Sequence, residues 1–407
     1  MKNNTDNCNG KMPSLRTFDF EKNVGGGTAV KCSRPMEKQL GRVSCLDTPC
    51  LVLDLDMLEG NLQKMQAVAK HAGKNLRPHA KTHKCSALAR LQIEAGAIGV
   101  CVAKVSEAER LAKAGLANIL ITGPVVTQQK LGRLLAIRQT MPSLMLVVDH
   151  GDSVDWLSAS MQAAGLTMDV LLDVDVGLKR SGVLPSDIPA LAERVRSRPN
   201  LRLRGIQAYA GHVQHLRPYH ERRTDSLQCL QQAVPIFREL KATIPTCDIF
   251  SASGTGTFDI DIAVPEVTEL QVGSYVCMDT EYRGIGSAVD AAQFTAFAPA
   301  LRVLTTVVSA NHRGFVTVDA GLKSLYRDGG VPQVFAPPDA GLTYDWFGDE
   351  YGRITYSDPG AAPALGTVLE LIPSHCDPTI NLFDRFHLVR EDSMIGEWPI
   401  DLRGCSQ

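Results

Sequence analysis

No apolar run in the sequence reaches the ~18 residues that a helix needs to cross a bilayer, so no membrane-spanning segment is expected. None of the 11 cysteines forms a Cys-x-x-Cys pair, and their number is odd. A disulfide framework is therefore not expected, and a reducing, cytoplasmic setting is. The formal net charge is only -2, which gives no broad field for nucleic acid or an acidic membrane. Residues 1–40 lack both periodicity and the apolar core of a secretory signal. Asp6, Asp19, Glu21 and Glu37 weaken an organelle-targeting reading, and a flexible extension over 1–44 is expected. What remains is an ordinary globular composition, 44% hydrophobic and 21% charged, in 407 residues, long enough for two domains.

From residue 48 the pattern is regular. "TPCLVLDLD" reads as a strand, and Asp56 with Glu59 has capping-box spacing for the helix that follows. Eight strand-like runs then alternate with amphipathic segments: 76–80, 98–103, 118–122, 144–149, 168–174, 203–209, 247–253 and 269–275. Such alternation predicts parallel strands, and eight of them predict a (β/α)8 TIM-like barrel over 54–285. After about 286, strands follow one another without helices. Residues 286–407, joined by 45–53, are expected to form a mainly antiparallel β domain.

The stretch "LRPHAKTHK" (76–84) holds Arg77, Lys81, Lys84, His79 and His83. Strand alternation would put Arg77, His79 and Lys81 on one face, with Lys81 at the C-terminal end where barrel enzymes place reactive groups. Neighbouring positive charge would lower the pKa of Lys81, as an amine nucleophile requires. A solvated charge cluster at a strand end fits the same spacing. "SASGTGTF" ends the seventh run, with Ser253, Gly254 and Thr255; "VGSY" ends the eighth, with Gly273, Ser274 and Tyr275. Two Gly/Ser/Thr loops at those strand ends suit a phosphate. An amine nucleophile plus a phosphate site suggests pyridoxal 5'-phosphate. In "PSHCDPT", His375 and Asp377 would project the same way from an extended chain. They offer a mixed N/O pair for Mn²⁺, Mg²⁺, Ca²⁺ or Zn²⁺. An Asx turn before Pro378 is the plainer alternative.

"RPHAKTHK", "DVDVGLKRSGV", "AYAGHVQH", "SASGTGTF", "QVGSY", "VDAGLKSL" and "PSHCDPT" occur in the order seen in D-threonine aldolases and their D-serine dehydratase-like relatives. Over residues 45–400 the chain resembles these fold-type III pyridoxal-phosphate enzymes, which are akin to alanine racemase. The resemblance implies that Lys81 holds the cofactor. It implies that Gly254, Thr255, Gly273, Ser274 and Tyr275 lie at its phosphate, and that His375 and Asp377 bind the metal. The dehydratase branch tends to have His-x-Cys and zinc there; His-x-Asp is the aldolase-like form and favours Mn²⁺. Arg180 is a candidate for the cofactor ring, Tyr209 and His79 for further contacts, and His83 and His212 for proton transfer. Asp319 and Lys323 are assigned to a domain or subunit contact. The implied activity is cleavage of a D-3-hydroxy-amino acid, D-threonine to glycine and acetaldehyde. Dehydration of D-serine or 3-hydroxyaspartate is the nearest alternative, and a non-catalytic cofactor carrier a distant one. A homodimer is also implied.

Overall fold

A computed structural model describes residues 41–335 and 341–407. Most of the expected 1–44 extension lies outside the described residues. Its last residues do not behave as one: β1 (Gly41–Arg42) pairs antiparallel with a strand near the C-terminus, and Val43 donates to Asp392 O.

The chain enters the β domain first, through β2 (Cys50–Asp54), and leaves it into helix α1 (Leu55–His71). The cap of α1 is Asp54, whose carboxylate accepts from the Met57 N–H at 3.0 Å, and not Asp56. Asp56 and Glu59 instead bind Arg390 of the β domain.

Eight strands follow: β3 (Asn75–Leu76), β4 (Val100–Val102), β5 (Ile119–Ile121), β6 (Met145–Val148), β7 (Met168–Asp173), β8 (Leu201–Ala208), β9 (Ile249–Ala252) and β10 (Glu269–Leu270). They are parallel and lie in the order β3-β10-β9-β8-β7-β6-β5-β4. The ring closes between the ends of this list. His79 and Cys101 form a parallel bridge, and Ala80 N–H donates to Cys101 O at 2.8 Å. All eight expected runs are barrel strands. Period-two alternation sorts their side chains. Cys101, Leu120, Met145, Val147, Leu171 and Ile249 form a separate buried cluster, and their strand neighbours join the large core shared with the helices.

The second sheet is built from β11 (Leu301–Ser309), β12 (Phe315–Val318), β13 (Gln333–Val334), β14 (Leu342–Trp346), β15 (Gly352–Tyr356), β16 (Val368–Ile372), β17 (Arg385–Arg390) and β18 (Ser393–Pro399), with β1 and β2. All its pairings are antiparallel except that of β2 with β17. Asp319 stays inside this sheet, accepting from Thr48, Thr305 and the Thr306 N–H, while Lys323 pairs with Glu350. No described helix is long and apolar enough to cross a membrane.

Candidate active site

The basic stretch is not one continuous face. β3 is two residues long, and after His79 the chain turns: Thr82 N–H donates to His79 O, and Lys84 N–H to Ala80 O, with Lys84 at φ 50°. Strand alternation therefore stops before Lys81. Each basic group has its own partner. Arg77 Nε and Nη2 bind the Glu269 carboxylate at 3.0 and 3.1 Å, and Nη1 binds Asn118 O. Glu269, on the neighbouring β10, is thus the anion that compensates Arg77; no cofactor is required for it. Lys84 pairs with Glu107 at 2.7 Å. His79 meets Thr122 Oγ1 at 3.1 Å, and burial drives its pKa well below the usual range.

Lys81 is the exception. Its side chain is 44% exposed at the barrel mouth, and its Nζ lies 3.5 Å from Asp377 Oδ2. The expectation of a depressed amine is reversed here. The Asp377 carboxylate raises the Lys81 pKa and outweighs burial and Arg180, which act downward.

The first glycine loop packs on Gln214, and the second packs on Thr82, the neighbour of Lys81 in the chain. A Cβ on Gly273 would sit 2.6 Å from Thr82 Oγ1, and one on Gly254 would sit 2.4 Å from Gln214 Oε1. Gln214 shapes the first loop, accepting from Gly256 N–H and donating to Thr257 Oγ1. Among the described residues, nothing accepts from the N–H groups of Gly254, Thr255 or Ser274. Thr82 Oγ1 is buried without a partner. Free N–H groups and an orphaned hydroxyl beside two side-chain-free positions fit a phosphate. Ser253, at φ 77° and 2% exposed, lies under the loop with its hydroxyl on Gly254 O. Tyr275 departs from the expectation. Its ring is buried, its hydroxyl accepts from Gln92 Nε2, and its N–H is spent on Thr255 Oγ1. It positions Thr255 and does not face the phosphate cradle itself.

Across the mouth, Arg180 stands on a loop closed at its base by the Val174–Val183 bridge. Among the described residues it has no ion pair, and its guanidinium lies 5.8 Å from the Tyr209 ring. Asp173, Ser181, Gln207 and both of these residues line one small cavity. Burial raises the Asp173 carboxyl to about 6, against hydrogen bonds from Gln207 and Ser181.

The "PSHCDPT" stretch is not extended. His375 is the N-cap of a short helix, α2 (Cys376–Ile380), and Asp377 is in its first turn. The barrel holds this segment through four hydrogen bonds: Thr280 N–H to Pro373 O, Glu281 N–H to Ser374 O, Cys376 N–H to Asp279 Oδ2, and Ser274 Oγ to Asp377 Oδ1 at 3.4 Å. Burial pushes the Asp377 pKa up, but Lys81 and His375 pull harder, and its carboxyl sits below the usual range. The Cys376 side chain is fully buried, with its Sγ 3.7 Å from Asp377 Oδ1. Among the described residues no group of three or more His, Cys, Asp and Glu could hold a metal. An imidazole and a carboxylate at an open mouth still fit an oxygen- and nitrogen-liking divalent ion that keeps positions for water and substrate.

Of the candidate proton carriers, His83 has both ring nitrogens engaged. Nδ1 accepts from Cys85 N–H and Nε2 meets Gln92 Oε1; burial lowers its pKa to about 4. His212 is exposed and contacts Cys229 Sγ at 3.6 Å. The histidine at the site is His215, which sequence reasoning missed. Its Nδ1 lies 3.4 Å from Glu281 Oε1, its ring packs on Tyr282, and its buried Nε2 has no partner. Burial first, then the charge on His375, lowers its pKa to about 4; Lys81 and Asp377 also act on it. The only sequence signal was its place three residues after His212 in "AGHVQH".

A parallel barrel with a mouth lysine, a phosphate cradle and a partner β domain defines a pyridoxal-phosphate enzyme of fold type III. Comparison with known proteins makes the class narrower. The family "Alanine racemase, N-terminal domain" matches residues 53–281, and "Putative serine dehydratase domain" matches 300–389. The chain is 41% identical to a D-threonine aldolase of Arthrobacter sp. over 89% of this chain and 94% of that one. It is 30% identical to the D-threo-3-hydroxyaspartate dehydratase of Delftia sp., over 87% and 97%. The crystal structure of D-threonine aldolase from Filomicrobium marinum superposes with TM-score 0.86 at 37% identity, covering 91% and 99%. The chain belongs to the D-threonine aldolase and D-serine dehydratase-like family of fold-type III pyridoxal-phosphate enzymes. An aldolase and a dehydratase are both lyases, and that class holds for this chain.

Proposed function

We propose that the chain is a metal-dependent D-3-hydroxy-amino-acid aldolase that cleaves D-threonine to glycine and acetaldehyde. The observation that carries this reading is the 3.5 Å approach of Lys81 Nζ to Asp377 Oδ2, which brings the barrel lysine to the His-x-Asp pair of the β domain. Lys81 would hold the cofactor covalently. The N–H groups of Gly254, Thr255 and Ser274, with Thr82, would hold its phosphate, and Arg180 and Tyr209 would contact its ring. His375 and Asp377 would hold a divalent ion, with Mn²⁺ favoured by the carboxylate. When bound, the cofactor supplies an electron sink for Cα, and the ion polarises the 3-hydroxyl oxygen. His215 is neutral at pH 7 and has a free Nε2, so it can accept the hydroxyl proton. Glu281 fixes its orientation from Nδ1.

Dehydration is the second reading, favoured by the Delftia relative. Asp377, where the dehydratase branch tends to carry Cys, and the burial of Cys376 support the aldolase. The proposal includes a homodimer. Exposed Tyr326, Val331 and Phe335, on a segment hydrogen-bonded to Ser374 and Thr280, support a covered apolar face beside the site. Incubation with D-threonine and analysis of the products decides the chemistry: glycine with acetaldehyde is expected, and 2-oxobutanoate overturns the aldolase reading.

A further inference from the structure

His375 has a second neighbour besides the site. Its Nδ1 lies 3.2 Å from Asp328 Oδ2. Asp328 belongs to the segment between β12 and β13, and that segment is bound to the α2 region. Ser374 Oγ donates to Tyr326 O at 3.0 Å, and Tyr326 N–H donates to Thr379 Oγ1 at 3.3 Å. Further along, Thr280 Oγ1 donates to Val331 O. Asp328 is thus carried on a backbone anchored on both sides of His375. The His375 side chain is only 24% exposed, while Asp328 is 60% exposed, so the carboxylate reaches inward from the surface to the ring.

An imidazole has two nitrogens, and a carboxylate on one fixes the proton there and leaves the other as a lone pair. No described residue bonds His375 Nε2. We infer that Asp328 is the positioning residue of the metal site: it accepts from His375 Nδ1–H, fixes the ring's tautomer and rotation, and turns Nε2 toward the divalent ion. The inference rests on the proposed metal reading and adds to it a residue that no His-x-Asp spacing contains. Asp328 lies 47 positions before His375.

The test uses the full-length enzyme loaded with pyridoxal phosphate, stripped of metal by a chelator and titrated with Mn²⁺, with free Mn²⁺ read by electron paramagnetic resonance. Wild type is expected to bind and His375→Ala to lose binding. Asp328→Asn is expected to bind about 10–100-fold more weakly, with the cofactor absorbance unchanged. Asp328→Glu, which keeps the carboxylate, is expected to recover part of the loss. If Asp328→Asn binds Mn²⁺ as wild type does while His375→Ala does not, the role of Asp328 is overturned and the metal site stands. If His375→Ala binds as wild type does, the metal reading falls, and the role of Asp328 with it.

Discussion

The floor and the mouth of the barrel treat charge in opposite ways. At the floor, Arg77 is closed bidentate on Glu269, and Arg204 is shared between Asp169 and Asp248. At the mouth, Lys81 has one carboxylate at 3.5 Å and Arg180 has none. Thr82 Oγ1 and His215 Nε2 are buried without partners. Both regions are lined by polar side chains, but only the floor is saturated. A buried polar group left unpaired lowers stability, so it persists where a ligand completes it. The lesson is that unsatisfied valence, more than polarity, marks the reacting end of this barrel.

Substituting one cation from each region would break this contrast most directly. Lys81→Ala is expected to abolish covalently attached cofactor, read by absorbance after gel filtration, with little change in the unfolding midpoint. Arg77→Met is expected to do the reverse. It leaves Glu269 buried and uncompensated, at a cost of about 3–5 kcal/mol in denaturant unfolding. Equal effects of the two on stability would erase the distinction. The next largest effect concerns the mouth alone. His215→Asn should lower kcat by about 10²–10⁴-fold, while His212→Asn, beside Cys229, has the smaller effect. A larger loss in His212→Asn would return the base to His212, one of the two histidines that sequence reading offered.

The smallest effect is a pH dependence of stability. Unfolded, His83 takes up its proton near 6.5; folded, burial holds it to about 4. Between those values the unfolded chain binds more protons, so stability falls as pH falls. The loss approaches about 3 kcal/mol across that window. Unfolding curves at pH 7 and pH 4.5 measure it, and no loss would mean that His83 is not held neutral.

Local pattern determined much of this protein. The eight barrel strands were legible because period-two apolar runs alternate with amphipathic helices, and that alternation is a property of neighbouring residues. Residue type and position in the barrel singled out Lys81 and the two glycine loops as candidates, and the family resemblance added the His375/Asp377 pair of the β domain. The partners were not. Arg77 finds Glu269 192 positions away, Lys81 finds Asp377 at the far end of the chain, and Asp56 turns from its helix to Arg390. The same limit hid His215: its chain neighbours resemble those of His212, and only the fold puts one ring beside Glu281 and the other beside Cys229. It also hid the turn after His79, which took Lys81 off the face of Arg77 and gave it the carboxylate that raises its pKa. Sequence alone determined which groups carry charge, where strands begin and which loops lack side chains, because those depend on local chemistry. Tertiary structure alone decided which charges are closed and which are left open, because that depends on distances between residues hundreds of positions apart.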